Sequence, residues 1–85
     1  MGDAIFDVTT NSSTTIVVDL RGSAANVLLV DWANLQSYRR KGRFRHSGGF
    51  YKQSPVTFRP GAGKWHVIVN VPGGGRTHAE VSIRE

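Results

Sequence analysis

From Tyr38 to Lys52 the chain reads YRRKGRFRHSGGFYK, in which Arg39, Arg40, Lys41, Arg43, Arg45 and Lys52 are interleaved with Tyr38, Phe44, Phe50 and Tyr51. Guanidinium groups grip phosphate oxygens in pairs, ammonium groups act as point charges, and aromatic faces stack on bases. The chemistry within reach is therefore anion capture, of a single nucleic-acid strand or a nucleotide, by Tyr38, Arg39, Arg40, Lys41, Arg43, Arg45, Tyr51 and Lys52. The competing account puts the aromatics, Phe44 and Phe50 above all, in the core and leaves the cations merely solvated. Charge distribution favours a partner. Six of the 11 Lys and Arg fall in this run, and no Asp or Glu occurs from Trp32 through Ala79, a block that holds nine cations. That block attracts nucleic acid, a nucleotide or an acidic protein surface, unless folding returns Asp7, Asp19, Asp31 or Glu80 to its side.

Other chemistries have less to work with. His46, His66 and His78 raise a metal site, but a hairpin of residues 64–71 and 77–84 sets His66 opposite Ser82 and His78 opposite Asn70. The two imidazoles are then about 13 Å apart along one face, too far for one zinc with bonds of about 2 Å. Gly61-Ala62-Gly63-Lys64 lacks the spacing of a phosphate loop and precedes a strand-like run, so it reads as a hairpin turn, as does Pro72-Gly73-Gly74-Gly75. There is no Cys, no Gly-x-Ser-x-Gly elbow and no paired carboxylate cluster; Asp31, His46 and a serine would have to converge in space to act together. The reading is of a non-enzymatic module with no catalytic residues, no metal and no cofactor.

The elements that position the basic run follow from periodicity. Eighty-five residues with 39% hydrophobic and 20% charged content make one small folded domain over residues 1–85, which needs most of its apolar residues in one core. Apolar runs too short to span a membrane, and an N-terminus without a signal-peptide pattern, point to a cytoplasmic protein with no membrane partner. Zero Cys agrees with a reducing compartment. Residues 4–8 form a short apolar run. Ile16, Val18 and Leu20 alternate with Thr15, Val17 and Asp19, giving one apolar face and one mixed; Asn26 to Val30 is apolar on both faces, which suggests a central strand; Val56 to Phe58, between Pro55 and Pro60, marks an edge. Trp65, Val67, Val69 and Val71, and then Thr77, Ala79, Val81 and Ile83, define two further strands. Asp31 N-caps a helix through Ser37, with Leu35 and Tyr38 on its apolar stripe and Gly42 ending it. Gly48-Gly49, within a strand-like stretch, implies a bulge, a bend or close backbone approach.

These spacings predict an all-β fold, a small antiparallel β-sandwich or partly open barrel of six to seven short strands with one short helix near residues 31–38. Its core comprises Ile16, Val18, Val27, Leu29, Trp65, Val67, Val69, Val81 and Ile83.

Asn26-Val27 with Asp31, the Asn34 to Tyr38 segment before the basic residues, Arg45-His46-Ser47-Gly48-Gly49, Ser54-Pro55 and Gly63-Lys64-Trp65-His66-Val67-Ile68-Val69 together resemble a bacterial family of small domains of unknown function, number eighteen-eighty-three. The resemblance runs from Thr14 onward. It implies a β-sandwich-like domain, found alone or attached to other domains, TIR domains among them, and carries over no activity, cofactor or site residue. Two functions remain: an anion-binding module acting through the basic segment, and a protein-interaction or self-assembly module, homo-oligomeric in the simplest case. The second would use sheet edges and exposed apolar residues such as Leu28 or Ile68.

Overall fold

The computed structural model describes residues 3–73 and 75–84; Gly74 of the Pro72 to Gly75 turn lies outside them. Strands β1 (Asp3–Thr10), β2 (Thr15–Gly22) and β3 (Ala25–Val30) are followed by helix α1 (Trp32–Arg39), and then by β4 (Ser47–Tyr51), β5 (Val56–Phe58), β6 (Gly63–Asn70) and β7 (Thr77–Arg84). They form two antiparallel sheets, a four-stranded one ordered β1-β6-β3-β4 and a three-stranded one ordered β5-β2-β7. This is the expected small all-β sandwich.

Its core lies between the sheets, where Val8, Ile16, Val18, Ala25, Val27, Leu29, Val56, Phe58, Val67 and Val69 are buried. Val27 and Leu29 of β3 alternate with Leu28 and Val30, so this strand also has an apolar outer face. β6 does the same with Ile68. Such strands are stable only where both faces are covered. Both lie inside the larger sheet, β6 between β1 and β3, and β3 between β6 and β4. α1 covers the outer face: Leu35, 1% exposed, joins Leu28, Val30 and Ile68 in a second cluster flanked by Ile5, Tyr38 and Phe44.

The structure corrects several expectations. β6 and β7 do not pair. β6 pairs with β1 and β3, and β7 pairs with β2, so Val67 and Val81 belong to facing sheets. Alternation specifies which face a residue occupies but not which strand lies beside it. The connections through Gly61 and Gly73 therefore cross between sheets and are not hairpin turns. His66 and His78 consequently do not share a face, which removes the spacing calculated for them. Leu28 and Ile68 are buried beneath α1, so neither is available to a partner. Of the expected core, Ile83 is 48% exposed because β7 is an outer strand, and Trp65 and Val81 are half-buried.

His66, expected to be partly exposed, is buried, and its Nδ1 lies 2.7 Å from Asp7 Oδ1. The pair ties β6 to β1 at directly opposed positions. Trp32, the first residue of α1, lies over the imidazole with ring centroids 6.0 Å apart.

The glycine pair in β4 is explained by close approach at one position only. Gly48 has φ +95°, and a Cβ there would stand 2.1 Å from the Val27 carbonyl oxygen and 3.1 Å from the Phe58 ring. Around Gly49 a Cβ would meet nothing within 4 Å. Gly48→Ala should therefore destabilise the fold by more than about 2 kcal/mol, through a forbidden backbone region and a steric clash. Gly49→Ala should change stability by less than about 1 kcal/mol. Urea unfolding of the two variants tests the contrast, and equal losses would contradict it.

Candidate anion-binding surface

The segment carrying the cations is shaped by what it must bury. Asp31 accepts the backbone N–H of Asn34 at 2.9 Å and the Asn34 side-chain amide at 2.9 Å, which starts α1 where the sequence places it. These bonds, the backbone one first, hold the Asp31 carboxyl below its ordinary value of 3.8. The helix runs to Arg39, two residues beyond Ser37. Lys41 takes the left-handed conformation (φ 60°), its N–H bonding to the Tyr38 carbonyl at 3.0 Å, while Gly42 N–H reaches the Ser37 carbonyl at 2.8 Å. This is a double carbonyl cap with lysine at the position glycine usually takes.

The chain then returns along the helix. Phe44 meets Tyr38 edge to face, with centroids 5.3 Å apart; His46 packs on Phe44; and Arg45 N–H donates to Asn34 Oδ1 at 2.7 Å. With Leu35, Tyr38 and Phe44 turned to the sheet, Arg39, Arg40, Lys41, Arg43 and Arg45 are all exposed. Among the described residues, the ion pairs within 4.0 Å are His66 with Asp7 and His78 with Glu80; none involves an arginine or lysine. Asp31 is engaged by Asn34, and Asp19 and Glu80 belong to the other sheet. Cations at a helix C-terminus are partly explained by its dipole. That dipole amounts to roughly half a charge, against five cations in the seven residues from Arg39 to Arg45. The balance stays strongly positive.

The eight predicted residues are not one cluster. Arg39 and Lys41 rim a shallow depression with Ile5, Tyr38, Gly42 and Phe44. Arg45 borders a second one with Asp31, Asn34 and His46. Lys52 follows β4, at the opposite end of that strand from Arg45. Tyr38 is half-buried against Phe44, and Tyr51 is half-buried against the core between the sheets. The exposed aromatics are instead Trp32 (61%) and Phe50 (51%). Phe50, expected in the core, is opposed to Asn26, one residue out of phase with the inward-facing Ala25 and Tyr51. It therefore lies on the outer face, the side α1 occupies. Strand alternation carried this signal, since Tyr51 and Phe50 cannot both point inward.

Chemically the surface offers cations and the exposed aromatic faces of Trp32 and Phe50. Asp31, His46 and Ser47 border one depression, in which His46 Nδ1 faces the Ser47 carbonyl oxygen at 3.4 Å and the Asp31 carboxylate accepts from Asn34. Among the described residues no group of three His, Asp or Glu side chains converges on a metal position, and no helix is long and apolar enough to cross a membrane.

A family described as a domain of unknown function, DUF1883, matches residues 6–85. No curated protein and no solved structure matches the chain.

Two changes test the local frame. The Asp31 carboxyl titrates lower in the folded chain, so its contribution is present above its unfolded value and is lost as the pH falls below 3.8 and through the lower folded value. Asp31→Ala should cost about 1 kcal/mol at neutral pH, and the two proteins should converge in stability at the acid end of a denaturation series; a pH-independent difference would exclude the cap. Lys41→Gly should stabilise the fold by up to about 1 kcal/mol by relieving the left-handed lysine. A loss of stability in urea would show that the lysine stem packs usefully.

Proposed function

The chain belongs to the DUF1883 family, and on that footing we propose that it is a non-enzymatic binding module for an anionic polymer, best fitted by single-stranded nucleic acid, with nucleotides as the minimal ligand. The observation that carries this reading is the set of five exposed cations from Arg39 to Arg45, held outward by a buried aromatic and aliphatic underside and paired with no carboxylate among the described residues. Phosphates supply the missing counter-charge. Phe50, on the same face, supplies a surface on which a base can stack, and Lys52 extends the cationic track beyond β4.

The setting we infer is a bacterial cytoplasm, with the domain free or joined to a signalling domain of the TIR type. That inference rests on the family resemblance and on a cysteine-free composition suited to a reducing compartment.

Fluorescence anisotropy with a labelled oligonucleotide tests the proposal. With four to six phosphates neutralised, log affinity should fall against log salt with a slope of roughly 3 to 4, at about 0.7 per phosphate. Arg39→Ala with Arg40→Ala should lower that slope by roughly 1.4 without unfolding the domain. Phe50→Ala should weaken binding by about 1 to 3 kcal/mol and leave the slope nearly unchanged. If neither oligonucleotides nor nucleotides bind at low salt, the proposal is wrong.

A further inference from the structure

The two flanks of the sandwich are protected unequally. On one flank β5 is three residues long, between Pro55 and Pro60, and β4 contains Gly48-Gly49. Both are short, interrupted edges of the kind that resist pairing with another chain. On the other flank β1 and β7 are outer strands of eight residues each, with no proline or glycine in either. Between them runs an open groove lined by Phe6, Val8, Val81 and Ile83, among other residues of the two strands. Ile83 is half exposed in it. An uninterrupted outer strand beside a groove with half-exposed apolar side chains is what a further strand would extend.

We propose that this flank is a homodimer interface, in which β7 pairs antiparallel with β7 of a second copy about a two-fold axis at Ser82. The choice of occupant rests on self-complementarity of charge and of apolar side chains. A two-fold axis perpendicular to the sheet requires odd positions to oppose odd and even to oppose even, so that both cores stay on one side. Centring on Glu80 sets that carboxylate against its own copy. Centring on Val81 sets Glu80 against Ser82 and Arg84 against His78. Centring on Ala79 leaves Ile83 opposite Gly75. With the axis at Ser82, Glu80 opposes Arg84 of the second copy, Arg84 opposes its Glu80, and Val81 and Ile83 oppose each other twice. This register alone among the four neutralises the charges and covers Ile83.

The strand's other neighbour strengthens the choice. Inside the sheet Glu80 is directly opposed to Asp19 of β2, a like-charge pair, and its contact with His78 is an exposed one at 3.3 Å. Directly opposed like charges destabilise a sheet, and a cation on the open side of Glu80 offsets that. Arg84 is opposed to Thr15, which brings no acid to it. The paired sheet would run β5-β2-β7 and then the same strands in reverse order in the second copy. This interface uses neither α1 nor the basic run and stands independently of nucleic-acid binding.

Sedimentation equilibrium of the 85-residue chain tests the interface, with circular dichroism as the folding control. The wild type should populate a dimer at submillimolar concentration. Glu80→Arg, which places an arginine beside Asp19 within its own sheet and so keeps the fold, should weaken the dimer by about tenfold or more through two repulsive pairs. Arg84→Glu should do the same. The double swap should restore the wild-type constant within about threefold, and so should an equimolar mixture of the two single variants, whose charges complement one another. A strictly monomeric wild type over that range, or a double swap as weak as the single changes, would overturn the proposal.

Discussion

Everything in this fold depends on two strands that are apolar on both faces. β3 and β6 lie side by side inside the larger sheet, and the facing sheet covers only one of their surfaces. Leu28, Val30 and Ile68 on the other surface would cost roughly 1.5 to 3 kcal/mol each if left in water. That penalty is large beside the 5 to 15 kcal/mol typical of a whole domain's stability. The link from β3 to β4 is therefore a structural lid as much as a connection. At eight residues α1 is too short to be stable alone, so its helicity is held by Leu35 and by its caps.

The lid determines where charge can go. Its underside takes Leu35, Tyr38 and Phe44, and its backbone is fixed at both ends, by Asp31 at the start and by the Lys41 and Gly42 amides at the finish. The Asn34 side chain does double duty: its amide bonds Asp31, while its carbonyl oxygen receives the Arg45 N–H and anchors the returning loop. From Arg39 to Arg45 every position except Phe44 is exposed, and five of those six exposed positions are arginine or lysine. Grouping five cations raises the electrostatic energy of the folded chain. A structural role alone would be served as well by mixed charges, which is why an external counter-charge is the better account.

Much of this was legible in the residues themselves. The cap at Asp31, the edge position of the proline-bounded strand, the central position of Asn26 to Val30 and the close approach at the glycine pair each follow from one local rule. What was not legible is which strand neighbours which. Alternation in Trp65 to Val71 and in Thr77 to Ile83 is satisfied equally by pairing within one sheet or by facing across two. The sandwich takes the second solution: β1 and β3 occupy the two edges of β6, which leaves no edge for β7. Ile83 was misplaced by the same ambiguity, as an apolar position on a strand whose outer edge has no neighbour. Phe50 was misplaced differently: hydrophobicity outweighed parity, although Tyr51 had already taken the inward position.

The two surfaces are coupled by geometry even though neither needs the other. A two-fold axis perpendicular to the sheets leaves the outer face of the larger sheet pointing the same way in both copies, so both helices and both cationic runs share one side of the dimer. A flexible polyanion that occupies one run is held near the second at an effective concentration set by the intervening span. Under the proposed function, modest affinity at each run would suffice for firm retention of a long strand, while short oligonucleotides or single nucleotides that reach only one run would gain nothing from the proposed dimer.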